Sequence, residues 1–97
     1  MLYLIQLTYL RPLAEIDAQL AAHRAFLAEH FAAGRLLLAG PQEPRVGGVI
    51  LARGDSREEI EAIVHQDPFL LTGLASAQVT AFHPTRKAEG LPDGWLD

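Results

Sequence analysis

Ninety-seven residues, 49% of them apolar and 21% charged, have the balance of one small folded domain and leave no room for a second independent core. Eight basic against twelve acidic side chains leave a formal charge of −4, and the basic residues are scattered, which argues against a nucleic-acid footprint. Cysteine is absent, so disulfides and thiolate chemistry are excluded, and the N-terminal apolar run is broken at Gln6, far short of the ~20 residues of a membrane span.

Residues 2–9 form a short run rich in apolar and aromatic side chains, closed by Arg11 and Pro12, and are expected to form a strand. Pro12 suits a first helical turn. From 13 to 33 the chain is dense in Ala, Leu, Glu, Gln and Arg before Gly34 stops it, so one long helix is expected there. Short apolar runs at 35–39 and 46–53 are expected to be neighbouring strands, separated by a loop that holds Gly40, Pro41 and Pro44. Gly47 and Gly48 mark a bulge or a strand start.

Ser56 and Glu59 have capping-box spacing, and Ile60, Ile63 and Val64 recur at helical spacing, so a second helix is expected to run to about residue 66. Asp67-Pro68 interrupts it, because proline disfavours helix for the residue before it, and Gly73 marks a further turn. The last strand is expected over 75–83. This divides the chain into a domain over 1–84 and a tail over 85–97, whose Trp95 is expected to dock on apolar surface.

The order β-α-β-β-α-β is that of an α+β, ferredoxin-like split βαβ sandwich, with both helices on one face of an antiparallel sheet. On the first strand Tyr3, Ile5, Leu7 and Tyr9 point one way and Leu2, Leu4, Gln6 and Thr8 the other, so neither face is fully polar. A bare apolar sheet face usually marks an interface, and a homodimer through Tyr3, Ile5, Leu7 or their face-mates is expected. No membrane partner is expected, and the default location is cytoplasmic.

At ~100° per residue, Ile16, Leu20, Leu27 and Phe31 share one stripe of the first helix, and His23 falls in its middle. Two roles fit His23: a core histidine satisfied by one hydrogen bond, or a base directed at the sheet. His30, at the stripe's edge near the helix end, is structural or solvated. Asp67 is either helix punctuation or a carboxylate held beside the apolar Phe69-Leu70-Leu71 run.

Because both helices lie on one sheet face, His23 and Asp67 can meet. A carboxylate accepting from one ring nitrogen fixes the tautomer and presents the other nitrogen as a proton acceptor. No serine or cysteine motif accompanies the pair, no histidine spacing resembles H-x-x-x-H, and both glycine-rich phosphate motifs are missing. Neither metal nor organic cofactor is expected. Gly40-Pro41 is a plain turn or a place where backbone amides approach a ligand.

Taken together, the N-terminal strand, His23 within H-R-A-F-L, G-R-L-L-L-A-G-P at 34–41 and D-P-F-L-L-T-G-L at 67–74 resemble the YciI-like family from Met1 to about Pro84. The resemblance implies a dimeric α+β barrel, related in architecture to muconolactone-isomerase-like enzymes and small monooxygenases. It implies a dyad of His23 and Asp67, with Gly40 and Pro41 at the family's glycine-proline turn; Phe69 joins these two as a candidate substrate-binding residue. Family members with an assigned reaction are similar to lyases acting on chlorinated hydroxy-aromatic compounds. The segment 90–97 has no counterpart in the resemblance.

Two classes of function follow. One is acid–base chemistry, elimination or isomerisation of a small cyclic or aromatic molecule, with His23 as base and Asp67 orienting it. The other is a non-catalytic small-ligand-binding or dimeric interaction domain in which the pair satisfies buried polarity.

Overall fold

The computed structural model describes residues 1–96; Asp97, the last residue of the expected tail, lies outside the described residues. Four strands, β1 (Leu2–Tyr9), β2 (Leu36–Pro41), β3 (Gly47–Arg53) and β4 (Ala75–Phe82), form one antiparallel sheet in the order β2-β3-β1-β4. Helical segments connect β1 to β2 and β3 to β4, which is the ferredoxin-like α+β plan expected from the sequence.

The expected single helix over 13–33 is two, α1 (Leu13–Ala18) and α2 (Leu20–Ala32). They part at Gln19, whose backbone (φ −106°, ψ 5°) leaves the helical well. The break resets the helical phase, so the stripe extrapolated from Ile16 does not hold beyond it. Ile16 is buried, but on α2 the buried side chains are Phe26 and His30, while Phe31 is exposed. Gly34 ends α2 with a positive φ of 76°, as its position after the helix suggested.

α3 (Arg57–Val64) begins at Ser56, whose hydroxyl accepts the Glu59 amide at 3.2 Å. The Glu59 carboxylate reaches back one residue further than in the usual box, to the Asp55 amide at 3.0 Å. A short fourth helix, α4 (Pro68–Leu71), follows directly. It was not foreseen, since four residues carry no readable periodicity. Near the C-terminus a 3₁₀ turn at Asp93–Leu96 gives the tail local structure, and Gly94 shares a surface cleft with Met1, Leu2, Arg53 and His83.

Sheet register fixes which side chains face the helices. Tyr3, Ile5 and Leu7 lie opposite Ala52, Ile50 and Gly48 and are buried under α1, α2 and α3 with Ile16, Ile60 and Phe69. They are the core of one chain, not the open face on which an interface through them was expected. The open face carries Leu4 and Leu51, which pair directly, with Leu38 opposite Leu51 on the other side. Gly47 is where β3 comes closest to β1: a Cβ there would run into the Leu7 carbonyl and the Gln42 side chain.

Candidate active site

His23 projects from the second turn of α2, and Asp67 is the residue between α3 and α4. Pro68 keeps Asp67 extended (φ −63°, ψ 124°) and supplies the first helical position of α4. In that conformation Asp67 Oδ1 accepts the Phe69 amide at 2.9 Å, a helix cap. The same oxygen lies 2.8 Å from His23 Nδ1. An acceptor already holding one N–H binds the imidazole through a second donor, so Nδ1 carries the proton and Nε2 holds the lone pair.

Burial enforces this arrangement. Asp67 is only 1% exposed and its Oδ2 has no hydrogen-bond partner, while the His23 side chain retains 12% exposure. Phe69 stacks on the His23 ring with centroids 4.1 Å apart and planes within 11°. Imidazole rotation is therefore restricted both by the carboxylate and by the aromatic face.

A cavity of about 400 Å³ opens between α2 and the β2, β3 and β1 strands. His23, Gly40, Pro41 and Phe69, all candidates from the sequence, line it; Asp67 lies behind the imidazole and does not. Gly40 and Pro41 do so as the last residues of β2, paired with Val49 and Gly48, not as a turn after a strand ending at 39. Proline is tolerated there because β2 is an edge strand, where a missing N–H costs no ladder bond on the solvent side. The remaining walls are apolar, with Leu7, Leu20, Leu27 and Ile50 prominent.

Two lining residues were not anticipated, Arg24 and Arg45. Arg24 directly follows His23 on α2. Arg45 sits in the β2–β3 loop, which is fixed by backbone bonds from Gln42 to Gly47, from Val46 to Pro44 and from Tyr9 to Val46. Its guanidinium lies 6.0 Å from the centre of the Tyr9 ring and donates through Nη2 to Asp17 of α1 at 2.6 Å. That hydrogen bond holds the Asp17 carboxyl below the usual carboxylate range and raises Arg45 in turn. The sequence signal was weak: one arginine between Pro44 and the two glycines, with nothing to show that the hairpin would turn it toward α1.

His30 is structural. It is buried against Phe26, and its Nε2 meets Gln66 Oε1 at 3.0 Å. Among the described residues no group of three or more His, Asp or Glu side chains is placed to hold a metal ion, and no helix is long and apolar enough to cross a membrane.

A model of the YCII-related domain matches residues 1–83. In structure the chain is similar to the 5-chloro-2-hydroxyhydroquinone dehydrochlorinase TftG of Burkholderia phenoliruptrix, solved in complex with 2,5-dihydroxybenzoquinone. The identity is 27%, the match covers 84% of this chain and 93% of that one, and the TM-score is 0.70. No curated protein matches the sequence significantly.

Proposed function

Since the chain belongs to the YCII-related domain family, we propose that it is a small-molecule enzyme of acid–base chemistry, working without metal or organic cofactor. The observation that carries this reading is the 2.8 Å contact of His23 Nδ1 with a buried carboxylate at the wall of an open cavity. With Nδ1–H held by Asp67, Nε2 takes a proton from a substrate hydroxyl or acidic carbon. The electron pair left behind either expels an anion such as chloride from a conjugated carbon, or is reprotonated elsewhere by the imidazolium. The first outcome is elimination with net loss of H⁺ and the leaving anion; the second is isomerisation.

The dehydrochlorinase similarity and the apolar walls support a small cyclic or aromatic substrate stacked near Phe69 and bounded by Gly40 and Pro41. A second reading, a ligand-binding domain without turnover, is favoured by one observation. Asp67 Oδ1 already caps α4, so the pair also serves folding. Assembly with a second copy through the open sheet face, and a cytoplasmic location, complete the proposal.

Replacing His23 by Asn separates the readings, since it keeps polarity and much of the volume but removes the base. Against a substrate found by screening chlorinated hydroquinones, hydroxyquinones and lactones, His23→Asn is expected to lower kcat by about 10²-fold or more with the fold intact. Full activity in a folded variant would rule out His23 as the base.

A further inference from the structure

The chain as a whole is acidic, with a formal charge of −4, yet the charged side chains that line its cavity are two arginines, with His23 as the other ionisable group. The one carboxylate close by, Asp67, is withdrawn behind the imidazole, and Asp17 stands outside the lining, 52% exposed. Cationic groups at the rim of a low-dielectric pocket concentrate anions there against the sign of the net charge. The walls beneath are apolar and include the flat face of the Phe69 ring.

Arg45 is the better placed of the two for recognition. Its loop is pinned at Gln42, Val46 and Tyr9, and its guanidinium is anchored by Asp17 and faces the Tyr9 ring, whereas the Arg24 side chain is exposed with only a long-range attraction to Asp17. A guanidinium has five N–H donors in a fixed plane, and the bond to Asp17 uses Nη2. It can take an oxyanion from the cavity side while keeping its anchor, and a preorganised donor loses little freedom in doing so.

We propose that Arg45 is the specificity-determining residue of this cavity, and that its ligand is a small planar ring bearing an anionic oxygen: a carboxylate, phenolate or enolate. This rests on the cavity being the binding site, as in the function proposed above. The oxyanion sits at the loop end against Arg45, and the ring extends over the apolar floor toward His23.

The probes are benzoate and benzamide, which share shape and differ in charge, titrated into the full chain and followed by amide chemical shifts in ¹⁵N-labelled protein. Wild type is expected to bind benzoate about tenfold or more tightly than benzamide, with shifts at His23, Gly40 and Phe69. Arg45→Gln is expected to bring benzoate down to the benzamide level and leave benzamide unchanged, while Arg45→Lys retains part of the preference. A merely structural ion pair with Asp17 would lower the melting temperature and leave the ratio of affinities untouched; that result overturns the proposal. So does loss of the preference in Arg24→Gln but not in Arg45→Gln. If neither probe shifts the cavity amides of wild type, the binding-site reading fails, and this inference with it.

Discussion

Oδ1 of Asp67 accepts the Phe69 amide and the His23 imidazole together, so substitutions at this one atom separate folding from chemistry. In Asp67→Asn a carbonyl oxygen can still cap α4 and still accept Nδ1–H, though without the charge that stabilises an imidazolium. Its unfolding free energy is expected to stay within about 1 kcal/mol of wild type while turnover falls. Asp67→Ala removes the cap and strands a part-buried imidazole N–H, a combined cost of about 2–4 kcal/mol readable in urea denaturation. Equal stability of the two variants would mean that the cap and the imidazole contact add little. Both partners could be found in the sequence for ordinary reasons: Asp-Pro is helix punctuation, and a histidine amid leucines stands out. Arg45 could not, because the position of a loop side chain depends on how the hairpin closes and on α1, an element far from it in sequence.

At the level of elements, patterns were readable where a helix or strand has enough residues to repeat them. Ser56, Glu59, Ile60, Ile63 and Val64 marked α3 correctly, and the alternation of Tyr3, Ile5 and Leu7 marked one face of β1. Helical phase failed beyond Gln19 because a single residue outside the helical well rotates everything after it, moving Phe26 and His30 inward and Phe31 outward. Gly40-Pro41 read as a turn because both residues favour turns, but an edge strand accommodates them equally well. Gly47 illustrates the close packing of β3 on β1. Gly47→Ala places a methyl against the Leu7 carbonyl and is expected to destabilise by about 1–3 kcal/mol, whereas Gly40→Ala has open space beside it and is expected to change stability by less than about 0.5 kcal/mol. Chemical denaturation of the two variants measures the contrast, and a neutral Gly47→Ala would show that the strands part more easily than their register suggests.

For the molecule as a whole, the helices cover one face of the sheet and leave the other to be accounted for. The sequence correctly indicated an incompletely polar open face but could not say which alternate residues of β1 lay on it, since both sets contain leucines; only register against β3 and the burial of Ile16 and Ile60 decides that. On the open face, Leu38, Leu51 and Leu4 form an apolar row across three adjacent strands, ending at Thr80, while Phe82 lies opposite Leu2. Leu38 is 59% exposed, Phe82 42% and Leu4 38%. Gln6, Gln78, Thr8 and Ser76 make the next rows polar, so the apolar band has a defined edge. A second copy related by a two-fold axis can lay its own row across this one, each covering the other, as a self-complementary patch requires. The protein is therefore expected to sediment as a dimer at micromolar concentration. Leu4→Glu would place a carboxylate from each copy in the covered region, where desolvation and like-charge repulsion both oppose association, and is expected to halve the sedimenting mass. The monomer should stay folded by circular dichroism, because the Leu4 side chain faces away from the core formed by Tyr3, Ile5 and Leu7. A wild-type monomer at that concentration, or a Leu4→Glu variant that remains dimeric, would show that this face is not where two copies meet.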